Sequence, residues 1–532
     1  MTDLISEEIR RKKISLNNMD RKRKLDSTAE EAEEILEEAK PHSDLITSEE
    51  LDSIIHADDY KRLKENIENG KIKDVNMIVT ESSHRSLLMM ACEIGSIECV
   101  KILFANKADV NYTDYDDWSA VTSAAESGNV DIVKLVLSRD ELNIDLVHDA
   151  LHAPLCGGSA NFRLSTEIAM LLISRLPDVN RRVRGSCVLL NHAASGGYLD
   201  IVRLLLESGA DPNVTDNVEY DALYDACSEG HFDVVKLLFE FDSPHKITKE
   251  TINSAYLCAC YVGHLEIVSY LIGKGADVNA TGGGGRLAID YAIRKNNIPL
   301  AELLMESGFN VNTIYYERSA LHFACLRRHD DMAKLLLEHG ADPNLRYPDG
   351  SSALLKLVTF TCDNQADYTA YVLLLLARGA NVNLAHERTG QTALMIAGAA
   401  ANTGLVKLLL EYGADPNLHY TDGSSLLFKL VKSTCEKRSN YTAFMTLLLD
   451  RGVNVNTAHA TTGQTALMAA AQAQDVDLVK LLLEHGADVT QVNREGKGVL
   501  DMLGRTRSHA KVAELCQAYI DSNRVDSKPL LK

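Results

Sequence analysis

The chain has 532 residues, of which 45% are hydrophobic and 24% charged, and its formal net charge at pH 7 is −20. One hydrophobic core stops growing at about 250–300 residues, so a chain of this length either forms several domains or grows by repetition. The excess of acidic residues argues against nucleic acid or an anionic membrane surface as the main partner.

The eleven cysteines do not show the short, regular spacing of a secreted disulfide framework. The N-terminus lacks the apolar core of a signal peptide, and no apolar run reaches the roughly 18–20 residues of a membrane span. We therefore expect a protein of the reducing cell interior, cytoplasmic, nuclear or both, with no membrane insertion.

Residues 1–44 are charged and lack the pattern that fills the rest of the chain, so we expect a disordered tail with a short acidic helix that opens at Ser27. The tail contains two basic clusters that resemble a nuclear localisation signal. The alternative is a solvated charge run. The clusters are Arg10, Arg11, Lys12 and Lys13, then Arg21, Lys22, Arg23 and Lys24.

A repeat of about 33 residues begins beyond the tail. The segments 275–279, 308–312 and 340–344 share a Gly-x-Asp/Asn-x-Asn pattern, and their glycines are 33 and 32 residues apart. A leucine-rich helical stripe precedes each glycine, and a shorter helix such as 319–325 lies earlier in the unit. Glycine after a helix accepts the left-handed conformation that ends it, and Asp or Asn favours the tight turn that follows.

With its Gly-His turns at 230–231 and 263–264, this pattern resembles the ankyrin repeat. The resemblance implies an all-α solenoid of about twelve helix-turn-helix units with short β-hairpin tips and degenerate capping units at the ends. The units begin near Ser83, Asp116, Val147, Gly185, Glu219, Thr251, Gly285, Glu317, Gly350, Gly390, Gly423 and Gly463. The expected divisions are a degenerate N-terminal capping unit at 45–82, repeats at 83–492, C-terminal capping helices at 493–520 and a disordered tail at 521–532.

Two departures from the pattern predict irregular regions. Pro154 and the glycines that follow it predict a longer loop between the helices of the third unit. Residues 340–486 contain a duplication of 73 residues, in which every second unit is longer. We expect the six extra residues to lie between the two helices, around Cys362 and Cys435.

The signatures of metalloprotease, hydrolase, nucleotide-binding and kinase sites are absent, so we predict a protein that is not an enzyme and needs no cofactor. The glycines before Arg286 could cradle a phosphate, but their place between two units favours a turn. No metal site is expected, because Cys92, Cys227, Cys260 and Cys325 each follow an alanine in a first helix and fit small buried side chains.

The resemblance implies that hairpin tips and first helices form a concave binding face. Aromatic residues and arginine are the usual anchors of protein interfaces. The candidates are Trp118 and Tyr220 at tips, and Tyr291, Arg294, Phe323 and Arg327 on first helices, where the arginines are expected to face solvent. The alternative is that Tyr291 and Phe323 pack against their neighbours.

The predicted function is therefore a monomeric, non-enzymatic scaffold or adaptor that binds other proteins on the ankyrin face, with no nucleic acid as partner. One alternative is a substrate-recruiting adaptor of a ubiquitin ligase complex, although residues 499–520 contain no convincing recruitment box. Another is a nuclear ankyrin cofactor that regulates transcription, which the basic clusters favour.

Overall fold

The computed structural model describes residues 46–80, 84–155, 165–182, 188–242, 244–363, 367–435, 442–503 and 507–526. The predicted helix at 27–39, the basic clusters and the C-terminal residues 527–532 lie outside the described residues. Within the described ranges the chain forms 27 α-helices, arranged as successive pairs, with short β-hairpins between them. Its contacts divide it into two compact units, residues 1–211 and 212–532.

The first unit contains five helix pairs and one β-hairpin. Its helices are α1 (Ser48–His56), α2 (Tyr60–Glu68), α3 (Leu87–Ile94), α4 (Ile97–Ala105), α5 (Ala120–Ser127), α6 (Val130–Leu137), α7 (Ile144–Leu155), α8 (Thr166–Arg175), α9 (Leu189–Ser195) and α10 (Leu199–Glu207). Strands β1 (Ile78–Thr80) and β2 (Arg85–Ser86) pair antiparallel.

The second unit continues the same alternation of helices. They are α11 (Ala222–Glu229), α12 (Phe232–Glu240), α13 (Lys249–Val262), α14 (Leu265–Gly273), α15 (Ala288–Lys295), α16 (Ile298–Glu306), α17 (Ala320–Leu326), α18 (Asp330–Glu338), α19 (Ala353–Cys362), α20 (Thr369–Ala377), α21 (Ala393–Ala399), α22 (Thr403–Glu411), α23 (Leu426–Cys435), α24 (Thr442–Asp450), α25 (Ala466–Gln472), α26 (Val476–Glu484) and α27 (Arg507–Asp526). Strands β3 (Ile314–Tyr315) and β4 (Arg318–Ser319) form a hairpin, and a short 3-10 helix spans Leu500–Met502.

The helix boundaries follow from capping residues. The Ser319 hydroxyl accepts a hydrogen bond from the backbone N–H of His322 at 3.3 Å, which satisfies a free donor at the start of α17. The glycines after second helices adopt positive φ, for example 99° at Gly275 and 92° at Gly308, as the repeat pattern predicts. The buried leucines of the second helices, such as Leu336, Leu409 and Leu482, form the core between neighbouring pairs.

Asparagines at the hairpins join one repeat to the next. The Asn312 side-chain oxygen accepts a hydrogen bond from the backbone N–H of Asp342 at 2.7 Å, and its side-chain nitrogen donates to the Gly340 carbonyl at 3.1 Å. Asn344 and Asn383 make the same two contacts one and two repeats further on. The sequence assigns these residues to local turns, and the structure adds a link between repeats.

The duplicated region differs from the expectation in one respect. Helix α19 has ten residues, whereas α21 in the shorter unit has seven. Half of the six-residue insertion therefore extends the first helix, and the rest lengthens the connection to the second. An added helical turn keeps backbone hydrogen bonds that a longer loop would expose to water. At the end of the chain, α27 continues to Asp526, past the expected boundary at residue 520.

Candidate functional site

A cleft of about 440 Å³ opens in the second unit, where the hairpin tips and first helices of consecutive repeats converge. We call it the basic cleft, because four of its side chains are cationic and two are acidic. It is lined by Arg286, Arg294, Tyr316, Glu317, Arg318, Phe323, Asp349 and Lys356. The lining of the cleft therefore has a net positive charge, whereas the whole chain has a net charge of −20.

Aromatic rings form the apolar part of this surface. Phe323 is half-buried and stacks on Tyr315 with ring centroids 5.0 Å apart. Tyr291 is half-buried and meets Tyr261 edge-on at 5.5 Å. Each ring is therefore partly covered by a neighbouring ring and partly exposed, so packing and binding are compatible roles for Tyr291 and Phe323.

Arg294 lines the basic cleft, but its charge is already paired. Its Nε donates to Oδ2 of Asp290 at 2.6 Å, one helical turn earlier in α15. The Asp290 side chain is 1% exposed and that of Arg294 is 38% exposed. Arg294 is therefore both exposed, as the sequence predicts, and paired, and a charge reversal at 294 would set a second carboxylate beside the buried Asp290.

Arg286 occupies the hairpin tip before α15 and is exposed. The tip is a tight turn, with the Gly282 N–H donating to the Arg286 carbonyl at 2.8 Å, which confirms the turn interpretation of the glycine run. The Arg286 guanidinium lies close to the phenols of Tyr316 and Tyr291, and its interaction with Tyr316 raises the pKa of Arg286 further. Two tyrosines therefore lie beside a cation that remains accessible to solvent.

The opposite wall of the basic cleft contains Arg318 and Lys356. The Arg318 guanidinium lies 5.9 Å from the Phe323 ring centroid and 6.0 Å from that of Phe360, within the range of cation–π attraction. Lys356 donates to Asp349. Burial acts to raise the pKa of Asp349, but hydrogen bonds from Lys356 and Ser351 outweigh it and hold that pKa below its usual value.

The tip between β3 and β4 has an unfavourable backbone. Tyr316 and Glu317 both have positive φ, at 48° and 61°. A two-residue hairpin of this kind favours Asn-Gly, and other residues adopt the left-handed region at a cost of roughly 1 kcal/mol each. Such strain is typical of positions held for function, and Tyr316 is 46% exposed at the mouth of the basic cleft.

The remaining sequence candidates lie elsewhere. Trp118 belongs to the first unit, where the Arg85 guanidinium lies 5.4 Å from its ring. Tyr220 is 39% exposed and stacks on Tyr224 at 3.9 Å. Arg327 is exposed at the end of α17 but does not line the basic cleft. The structure thus brings Arg294 and Phe323 into one cleft with Tyr291 beside it, whereas Tyr220 and Arg327 are not among the residues that line it.

The sequence interpretation missed Arg286, Tyr316, Arg318 and Lys356 as cleft residues, and Tyr261 beside them. The repeat register contained a signal for Tyr261, which is 48% exposed and precedes Arg294 by one period of 33 residues. The register also contained a signal for Arg286 and Arg318, because each of them directly precedes the N-cap of a first helix. What the register could not supply was the convergence of tips and helices on one cleft.

The four cysteines assigned to first helices are buried. Burial raises the pKa of the Cys260 and Cys325 thiols to about 12, so both remain protonated at neutral pH and are poor nucleophiles. Among the described residues, no group of three His, Cys, Asp or Glu side chains is placed to hold a metal ion. In the same part of the chain, no helix combines the length and apolarity that crossing a bilayer requires.

The paired helices, left-handed glycines and hairpin tips define an ankyrin stack, and comparison of the sequence with family models agrees. A model of three consecutive ankyrin repeats matches residues 55–148, 159–250, 189–282, 255–347, 398–493 and 433–526. These matches cover well over half of the chain. The chain therefore belongs to the ankyrin-repeat family, whose repeats are protein-interaction modules.

Similarity to curated proteins is confined to parts of each. The mitochondrial disaggregase of Bos taurus is 37% identical over 26% of this chain and 20% of its own length. Ankyrin repeat and SOCS box protein 6 of Homo sapiens is 33% identical over 30% of this chain and 38% of its own. Putative ankyrin repeat protein FPV232 of Fowlpox virus is 28% identical over 41% and 56%. In each case the matched region is less than two thirds of the relative.

Among solved structures, the ankyrin repeat domain of Bcl-3, described as a member of the IkappaB protein family, is 22% identical with a TM-score of 0.36. The alignment covers 43% of this chain and 97% of that domain.

Proposed function

We propose that this protein is a non-enzymatic scaffold that holds partner proteins against the basic cleft and the tyrosines beside it. The observation that supports this function most strongly is the accessibility of Tyr261 and Tyr316, which are 48% and 46% exposed on a surface that also carries arginines. Tyrosine and arginine dominate the few residues that supply most of the binding energy at protein interfaces.

The test is affinity purification with the full chain as bait, followed by quantitative mass spectrometry. The double variant Tyr261→Ser, Tyr316→Ser removes two accessible rings and should lose partners that the wild-type chain retains. The matched control is Tyr60→Ser, Tyr412→Ser, which removes rings of similar exposure, 39% and 41%, outside the basic cleft. Equal partner recovery by both folded variants would contradict the proposed site.

Two narrower functions are tested separately. A substrate-recruiting adaptor of a ubiquitin ligase draws support from the similarity to Ankyrin repeat and SOCS box protein 6, and it requires ligase subunits among the purified partners. A nuclear cofactor requires the basic clusters to direct import. Changing Arg10, Arg11, Lys12, Lys13, Arg21, Lys22, Arg23 and Lys24 to alanine should then move a tagged protein out of the nucleus.

A further inference from the structure

Two consecutive repeats place an arginine and an aromatic ring at the same two positions, in or beside the basic cleft. Arg286 directly precedes the N-cap of α15, and Tyr291 follows that N-cap by four residues. Arg318 and Phe323 occupy the same two places in the next repeat, 32 residues later. An arginine at the tip and an aromatic ring on the helix are therefore repeated at the spacing of one ankyrin unit.

Two other repeats carry a different combination at these places. Ser351 and Ser424 replace the arginine, and Lys356 and Lys429 replace the aromatic residue. In both, an aspartate three residues before the N-cap forms an ion pair with the lysine, so the chain neutralises its own cation. These aspartates are Asp349 and Asp422.

The arginine repeats lack this aspartate. Gly284 and Tyr316 stand three residues before their N-caps. Among the described residues, no carboxylate lies within 4.0 Å of the Arg286 or Arg318 guanidinium, whereas Asp290 and Asp349 are engaged by Arg294 and Lys356. The two arginines at equivalent places are thus left with their charge available to a ligand.

We propose that the basic cleft binds an extended acidic segment of a partner protein, with one carboxylate on Arg286 and a second on Arg318. This inference rests on the proposed scaffold function and specifies the chemistry of the partner. Neighbouring helices pack about 8–10 Å apart, and an extended chain rises about 3.3 Å per residue. The two acidic residues of the partner are therefore three positions apart in its sequence.

The aromatic rings define what lies between the two carboxylates. Tyr291 and Phe323 are each half-buried, and Tyr261 and Tyr316 near them are exposed. Apolar or aromatic side chains of the partner pack on these rings, while the arginine forks hold the carboxylates in a bidentate manner. The rim residue Glu317 is exposed and opposes an acidic ligand, so it limits the affinity without preventing binding.

The experiment begins with selection of random dodecapeptides displayed on phage against the full chain. The enriched peptides should contain two Asp or Glu residues three apart with an apolar residue between them. Synthetic versions of the best peptide, with acidic spacings of one, three and six residues and with both acids changed to their amides, are then compared by fluorescence anisotropy. The amide peptide should bind about a hundredfold more weakly, since each charge-assisted contact contributes about tenfold.

The protein variants isolate the two arginines. Arg286→Gln, Arg318→Gln should weaken binding of the spacing-three peptide by about a hundredfold, and Glu317→Gln should tighten it about twofold. The matched control Arg388→Gln, Arg451→Gln removes two charges from other exposed positions of the second unit and should change affinity little. Circular dichroism verifies that each variant is folded.

Several outcomes would overturn the inference. They are enrichment of neutral or basic peptides, failure to enrich any acidic peptide, equal weakening by both double variants, and binding that requires a phosphoserine version of the peptide. None of these results touches the scaffold proposal if Tyr261→Ser, Tyr316→Ser still loses partners. If the acidic-peptide experiment fails and Tyr261→Ser, Tyr316→Ser also keeps every partner, the scaffold function at this cleft is contradicted as well.

Discussion

At the tip before α23, Asp422 forms an ion pair with Lys429 at 3.0 Å, and the lysine lies 3.8 Å from the centroid of the Tyr420 ring. At the tip before α15, four glycines precede Arg286, whose side chain lies near tyrosine hydroxyls and, among the described residues, forms no ion pair with a carboxylate. Both tips connect to a first helix of the same fold. The difference shows that one repeat scaffold can either neutralise a cation internally or leave it for a ligand.

The arginine repeats and the lysine repeats also differ at the buried position three residues after the N-cap. In the arginine repeats it holds Asp290 and His322, whereas in the lysine repeats it holds Leu355 and Phe428, and all four are buried. The arginine repeats therefore keep polar groups in the wall behind the basic cleft, where an apolar side chain would pack without a desolvation cost.

The largest expected effect tests the buried pair behind the cleft. Arg294→Ala removes the partner of Asp290, whose side chain is 1% exposed, and should lower the free energy of unfolding by about 2–3 kcal/mol. In the lysine repeat, Lys429→Ala removes the partner of Asp422, which is 53% exposed, and should cost less than about 1 kcal/mol. Urea denaturation of both variants measures the loss in free energy of unfolding. Equal losses would show that the two ion pairs do not differ in their contribution to stability.

The next effect concerns pH. Burial lowers the pKa of His322 to about 3, with smaller contributions from Arg318 and Lys356, which outweigh the opposite effect of Asp349. Between pH 6.5 and 3 the unfolded chain binds a proton that the folded chain excludes. Stability should therefore fall as the pH falls through this window, by up to about 1.4 kcal/mol per pH unit.

His322→Leu copies the residue of the lysine repeat and should flatten this dependence. Asp221 acts with the opposite sign, because burial raises its pKa to about 6, so the informative quantity is the wild type minus the variant. Thermal melts at pH 4, 5, 6 and 7 supply it. A difference that is constant with pH would show that His322 is not excluded from protonation by folding.

The smallest effect comes from the strained hairpin. Tyr316→Asn, Glu317→Gly supplies the residues that this turn favours and should raise the free energy of unfolding by about 1 kcal/mol, since both positions have positive φ. The same change removes the exposed Tyr316 ring from the mouth of the basic cleft and should weaken binding of the acidic peptide relative to Glu317→Gln, which loses the same rim charge. A variant that gains stability and keeps full affinity would mean that the strain has no role in binding.

The repeat register alone was enough to predict the fold, because glycine spacing and N-cap residues specify helix boundaries locally. It also singled out Tyr291 and Phe323, which are half-buried in the structure. It did not identify Arg286 and Arg318, since only the three-dimensional arrangement shows that a tip residue and a helix residue share one cleft. The engagement of Arg294 was open to prediction, because Asp290 precedes it by one helical turn.

The same limit applies to the duplicated region. Its insertion was visible as a change in period, but sequence spacing could not show that three of the six residues would extend α19. A longer helix and a longer loop would change the length of the repeat by the same amount. The choice depends on whether the added backbone groups can continue the helical hydrogen bonds.

The central claim is that absence of the tip aspartate makes the arginine repeats a docking site. Tyr316→Asp restores a carboxylate at the place that Asp349 and Asp422 occupy in the lysine repeats, and Tyr412→Asp adds the same charge at another exposed tyrosine. Titration of the acidic peptide with each folded variant should show a loss of affinity of about tenfold or more for the first and little change for the second. Unchanged affinity in Tyr316→Asp would contradict the account.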